Sequence, residues 1–194
     1  MKNLNKIFFL FLFTAGILSA QSEWAFDKAH SNVGFAVSHM VISETEGTFS
    51  EFEGSVSTKD DSFENAKIEF VVDINSIDTD NSDRDNHLKS DDFFGAAKYP
   101  KMTFKSKSFK KVDGKKYKLV GDLTIKDVTK EVVLDVKFNG IVKDPWGNTK
   151  AGFKLSGSLN RFDYGLKWSA ALETGGLVVG EEVEITANIE LAKK

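Results

Sequence analysis

A chain of 194 residues with 26 Lys+Arg against 29 Asp+Glu carries a formal charge of −3. A mildly acidic chain lacks the basic face that neutralises phosphates, so no nucleic acid is expected as a partner. With no cysteine it has no disulfides, no thiol chemistry and no residue to carry the lipid of a bacterial lipoprotein, and its length suits one domain held by its core alone.

The first twenty residues read as a signal peptide. Lys2 and Lys6 make a positive start, Ile7–Phe13 through Ile17 and Leu18 an apolar run, and the small residues Ser19 and Ala20 precede Gln21, where cleavage is placed. Leu18 is bulkier than the strict cleavage pattern wants. The apolar run is shorter than the ~20 residues that span a bilayer, which favours a removed signal over a retained anchor. The expected mature domain, residues 21–194, has no stable membrane anchor, is exported to the periplasm or secreted, and carries −5 once two lysines are lost (24 Lys+Arg against 29 Asp+Glu).

From Trp24 onward the apolar residues mostly recur with period two, the mark of strands with one buried face. Val33, Phe35 and Val37 alternate with Gly34, Ala36 and Ser38; Phe52, Gly54 and Val56 follow, then Ile68, Phe70, Val72 and Ile74. Met102 and Phe104 lead to the hairpin dipeptide Asp113-Gly114. Tyr117, Leu119, Leu123 and Ile125 run to a turn at Lys126-Asp127, and Val132 to Phe138 run towards a turn at Asp144–Asn148. Ala151, Phe153, Leu155 and Leu159 form the next run, and Val183 to Leu191 the last. About eight strands joined by short turns predict an antiparallel sandwich or barrel. Gly54, Gly121, Gly140 and Gly157 sit inside the runs, where glycine lets a sheet bend, and favour a barrel. Seventeen phenylalanines, most on the inward parity, leave two outcomes open: an interior filled by side chains, or room for one small ligand.

One long stretch, Asn75–Phe104, interrupts this pattern. It is polar and acidic first, then places Phe93, Phe94 and Tyr99 close together. Ser82-Asp-Arg-Asp85 resembles a capping box and predicts a short helix over about Asp83–Ser90, with Ser90 starting a further turn and Gly95 ending it. Asn81, Asp83, Asp85, Asn86 and Asp92 half-match a calcium loop, but Asp at the first position, Gly at the turn and the final Glu are all replaced, so capping is preferred. His30, His39 and His87 lack metal-ligand spacing. Gly175–Gly180 resembles a phosphate loop only superficially, because Glu181 and Glu182 stand where a cation and a hydroxyl are needed. Arg84 and Arg161, the only arginines, stand beside Asp85 and Asp163. They are expected to pin loops to the barrel rim through those carboxylates, with head-group recognition the sharper alternative. No catalytic acid–base pair or nucleophile motif emerges.

Taken together, Trp24-x-Phe-Asp27-x-x-His30-Ser31-x-Val33-x-Phe35 with His39-Met40, Gly47-x-Phe49-x-x-Phe52-x-Gly54, and Ser76-Ile77-x-Thr79 resemble the opening of the YceI-like family. Its most specific stretch is matched by Arg84-Asp85-x-His87-Leu88-x-Ser90-x-Asp92-Phe93-Phe94, followed by Tyr99-Pro100-x-Met102-x-Phe104-x-Ser106. Gly121-x-Leu123-Thr124-Ile125 and Arg161-x-Asp163-x-Gly165 complete the resemblance, with Asp127 standing where the family commonly has Gly. The resemblance implies an all-β fold, an eight-stranded antiparallel lipocalin-like barrel with a short helical insertion. It also implies a non-enzymatic protein that binds, transports or stores a long-chain isoprenoid lipid, with no cofactor unless a bound isoprenoid or quinone-type molecule is counted.

Parity then supplies the candidate ligand-binding residues. Val33, Phe35 and Val37 would line an apolar tunnel with Phe70 and Val72. Phe104, Leu123, Leu134, Phe153 and Leu155 would form the opposite wall. Phe93 and Phe94 would turn inward from the helical segment, to plug the tunnel or line its mouth. Trp168, in the loop between Gly165 and Gly176, and the Arg84 segment are the candidates near a head group. The alternatives are a ligand-free exported structural or stress-response module acting through surface contacts and, less favoured, an enzyme for small hydrophobic substrates. Homodimerisation is left open.

Overall fold

The alternating runs become strands almost throughout the computed structural model, which describes residues 21–173 and 175–194. The expected signal peptide lies outside them. The strands are β1 (Ser22–Phe26), β2 (Asn32–His39), β3 (Ser43–Phe49), β4 (Phe52–Thr58), β5 (Lys67–Asp73) and β6 (Ile77–Asp78). After one helix, α1 (Ser82–Lys89), come β7 (Lys101–Asp113), β8 (Lys116–Ile125), β9 (Val128–Lys143), β10 (Thr149–Asn160) and β11 (Val179–Lys193). All pairings are antiparallel. The order β1-β4-β5-β7-β8-β9-β10-β11 closes on itself through β1 and β11 into an eight-stranded barrel.

Six of the short strands are halves of three long ones. β11 pairs with β1 near its end, Phe26 opposite Leu191, and with β2 from Asn188 to Val179. β1 and β2 are therefore two lengths of one broken stave. β4 and β3 extend each other beside them, as do β5 and β6. The breaks lie side by side: Asp73 N–H donates to Glu51 C=O and Ser50 N–H to Ser76 C=O. Two of the three are 3-10 turns, Lys28–His30 and Ile74–Ser76, each started by an aspartate (Asp27, Asp73) whose carboxylate accepts the amide two residues on.

Inward-facing residues fill the barrel unevenly. At the end holding the β7–β8 hairpin, Trp24, Phe109, Tyr117, Phe138 and Phe153 gather around Phe63 or one another, the ring pairs 4.9 to 6.3 Å apart. Phe63 comes from the loop 59–66 and is only 1% exposed, although its φ is 60°. Tyr117 Oη donates to Ser62 C=O (2.9 Å) and Asn65 N–H to Phe109 C=O (2.7 Å), holding the loop across the barrel end. Gly121 shows why a bend needs glycine here. A Cβ at that position would lie 2.4 Å from the Phe104 ring.

The helix forms where expected but is capped differently. Its N-cap is Asn81, in extended backbone, whose side chain accepts the Arg84 amide at 2.9 Å; Ser82 is already helical. Asp85 turns back to accept from Thr79 N–H (3.0 Å) and Oγ1 (2.6 Å) rather than closing a box. With Asp92 beside His87 at 3.0 Å, Asn81, Asp85 and Asp92 of the calcium half-match each engage a different partner. Ser90 C=O accepts the Phe93 and Gly95 amides, and Gly95, at φ 58°, ends the turn.

Neither arginine pairs with its neighbouring aspartate. Arg84 donates to Thr79 through Nε to Oγ1 (2.8 Å) and Nη2 to the carbonyl (2.5 Å). Arg161 binds four backbone carbonyls: Gly180 and Val179 at 2.7 and 2.9 Å, and Leu166 and Trp168 at 2.6 and 2.8 Å. The expected pinning holds with different acceptors. A carbonyl cluster suits the fork of guanidinium donors, whereas Asp85 is engaged by Thr79 and Asp163 faces Lys130 at 3.7 Å.

Candidate functional site

Between the aromatic end and α1 the barrel encloses a cavity of about 240 Å3. Its walls run from Phe63 and Phe109 at one end to Phe93, Leu166 and Val179 at the other. Apart from the Gly34 backbone, every lining side chain is apolar except those of Thr103 and Arg161. The candidate residues Val33, Phe35, Val37, Phe70, Val72, Phe104, Leu123, Leu134, Phe153 and Leu155 all face it, as do Phe93 and Phe94. Strand parity brought these together because closing the barrel turns one face of every strand inward.

The two phenylalanines of the helical segment hold different positions. Phe94 is half-buried against Phe49, its ring 6.3 Å away, and faces the main cavity. Phe93 is buried beneath His87 and Trp168, at centroid distances of 5.1 and 5.4 Å, and lines two spaces. Beyond it lies a second, smaller hollow of about 190 Å3. This vestibule shares Phe35, Val37, Leu88, Phe93 and Val179 with the cavity and adds Ser38, His39, Thr45, Arg84, His87 and Trp168. Trp168 therefore faces the vestibule rather than the cavity. The His87 ring lies 5.1 Å from its indole, and Ser38, Thr45 and Arg84 line the same vestibule.

Among the described residues, Arg161 is the one charged side chain on the cavity wall. It is 4% exposed, and among the described residues it forms no ion pair. Burial pushes its pKa down against the attraction of the Glu181 carboxylate, while the four carbonyls satisfy most of its donors. A positive potential thus acts on the vestibule end of an apolar space, where the low dielectric strengthens it. Arg161 lies 6.0 Å from the Phe93 ring, which keeps charge and partition together.

Two features of the site were not foreseen. Phe63 does not stand out in the sequence because its loop, 59–66, reads as polar with a single aromatic. That lone aromatic was the available signal. The second feature, at the stave breaks, joins Asp27 to the ammonium of Lys150, which also contacts Glu190 at 3.1 Å, while His30 Nδ1 stands 3.1 Å from Asp27. The Lys150 hydrogen bond and the nearby His30 hold the Asp27 carboxyl at about 2, against the desolvation that opposes them. His30 and Glu190 lie far apart in sequence, and only barrel closure brings them together.

Comparison with known proteins accords with this architecture. A YceI-like domain model matches residues 24–191. A UPF0312 protein of Staphylococcus aureus strain N315, SA2479, is 40% identical over 172 residues, covering 88% of this chain and 98% of its own. The Campylobacter jejuni YCEI crystal structure with large solvent channels superposes with a TM-score of 0.69 at 35% identity, covering 87% of this chain and 96% of that one. Two more distant structures share the fold. One is Burkholderia cenocepacia BcnA, at TM-score 0.72 and 24% identity, covering 85% and 98% of the two chains. The other is a Saccharophagus degradans domain described as polyisoprenoid binding and implicated in plant cell wall breakdown, at 0.67 and 15%, covering 88% and 98%. A closed barrel, one capped helix over its mouth and a family match across nearly all the described residues leave one assignment: the chain belongs to the YceI-like family.

Proposed function

We propose that this protein binds a long-chain isoprenoid-type lipid without chemical change and serves to carry or store it outside the cytoplasm. The supporting observation is a space of about 240 Å3 within the barrel, apolar along its length and bearing a single charged side chain at one end. Burial of a polyprenyl tail there is driven by the apolar area withdrawn from water, at ~25 cal/mol per Å2, and selects for width and length more than for chemical identity. Arg161 on the cavity wall, with Arg84 and His87 in the vestibule, supplies the polarity for a head group, a pyrophosphate or a quinone-type carbonyl, near Phe93. The polyisoprenoid-binding Saccharophagus degradans domain, which has the same fold, is consistent with this reading. Mature protein purified from its native host should yield an isoprenoid lipid on organic extraction and mass spectrometry, near one molecule per chain. A preparation that is lipid-free and takes up no added polyprenol or quinone would overturn the proposal. That result would favour the ligand-free module, whose function would lie on its surface.

A further inference from the structure

The hairpin between β2 and β3 has a tip of three apolar residues, Met40, Val41 and Ile42, which are 38%, 69% and 83% exposed. Two of them hold backbone that large side chains avoid: φ is 51° at Met40 and 65° at Val41, and the turn closes with Ile42 N–H donating to His39 C=O at 3.3 Å. Two positive φ values in succession are the signature of a type I′ turn, where asparagine and glycine are the favoured pair and a β-branched residue is an outlier. Val41 Cγ2 reaches the Gly176 loop, yet exposure and strain both oppose this sequence on stability grounds, which points to a contact outside the fold.

Position indicates which contact. The strand ends carrying the tip, Ser38, His39 and Thr45, line the vestibule. Met40 N–H donates to Val178 C=O at 2.9 Å, tying the tip to the loop that follows Trp168, and Val178 is itself a vestibule residue. A body covering the tip also lies against the vestibule. The chain is acidic overall, so an anionic surface would repel it.

We propose that the Met40–Ile42 tip is a wedge that dips into an electrically neutral phospholipid surface and sets the vestibule against the bilayer. The proposal extends the lipid-binding reading to the place where lipid is exchanged. An apolar tip inserted to the acyl boundary gains from each buried side chain, while the polar strands above it remain in water.

The test uses flotation of the mature protein with phosphatidylcholine vesicles. The wild-type chain should float, and a Met40→Asn, Val41→Gly, Ile42→Ser variant should lose roughly tenfold or more of its partitioning, since a buried isoleucine alone accounts for about that factor. The same variant should melt a few degrees higher, because it places a favoured pair at the two strained positions. A tip that served the fold would melt lower. Trp146→Ala, at the β9–β10 turn where the indole is 85% exposed, should float as the wild type does. Undiminished flotation of the triple variant, its lower melting, or loss of flotation in the Trp146 variant would each overturn the wedge. The two proposals fail separately: a chain that floats but yields no extractable lipid removes the carrier reading, and one that yields lipid but stays off vesicles removes the wedge.

Discussion

Phe93 has the aromatic surface of a core residue and the placement of a partition. The ring is shared by the cavity and the vestibule, whereas Phe94 faces the cavity with Phe49 behind it. Phe93→Ala should therefore shorten the retention of a bound polyprenol on gel filtration and cost about 3 kcal/mol in urea unfolding; Phe94→Ala should cost stability with retention little changed. Sequence alone put both rings inward and left their roles equal. The difference comes from His87 and Trp168, which clamp one ring and not the other. Arg161 carries a related lesson. Its neighbour Asp163 suggested an ion pair, yet four carbonyls from two chain segments receive the guanidinium. Arg161→Lys keeps the charge but offers a point donor in place of a fork. It should lose about 1–3 kcal/mol through orphaned buried carbonyls. Asp27 sets an acid limit. Its carboxyl, normally near 3.8, titrates at about 2 in the fold. A depressed carboxylate contributes stability above its unfolded pKa and loses that contribution as pH falls through its folded one. Urea midpoints should thus decline between about pH 4 and pH 2 in the wild type, and Asp27→Asn should flatten that segment of the curve.

At the scale of elements, α1 shows how far local signals reach. Asn81 and Ser82 are both good N-caps, and composition cannot choose between neighbours. The backbone chooses, because Asp85 is drawn away to Thr79 and the chain turns extended at Asn81. Asn81→Ala should cost about 1 kcal/mol in thermal or urea unfolding and Ser82→Ala very little, the reverse of what a box at Ser82 would give. The loop 59–66 was harder to read. Nothing in Lys59-Asp-Asp-Ser-Phe63-Glu-Asn65-Ala66 shows periodicity, and Phe63 enters the barrel through backbone at φ 60° that propensity disfavours. Tertiary packing against Trp24 and Phe153 overrides the local preference, at centroid distances of 5.0 Å in each case.

For the whole molecule, the run of about eight strands was legible because period-two alternation and turn dipeptides survive in nearly every strand, while closure into a barrel rested on the strand glycines and the family resemblance. The three broken staves were not. Asp27–Ser31 and Ile74–Ser76 keep strand-like composition up to the point where an aspartate captures an amide, and a break is visible only when its neighbours are seen to break beside it. The interior was half legible. Parity assigned the lining but could not decide whether the space would be filled, since that depends on how far each ring reaches across the barrel.

The seal made by Phe63 and its aromatic neighbours turns the barrel into a cul-de-sac. A chain molecule of the proposed kind would have to enter tail foremost and leave head foremost by the same door, and a newcomer could not push it out from behind. Exchange must then await spontaneous departure. Its rate should level off once every wild-type chain is seated on an acceptor vesicle, while Phe63→Ala, by opening the blind end, should let a second molecule enter from behind and raise that plateau.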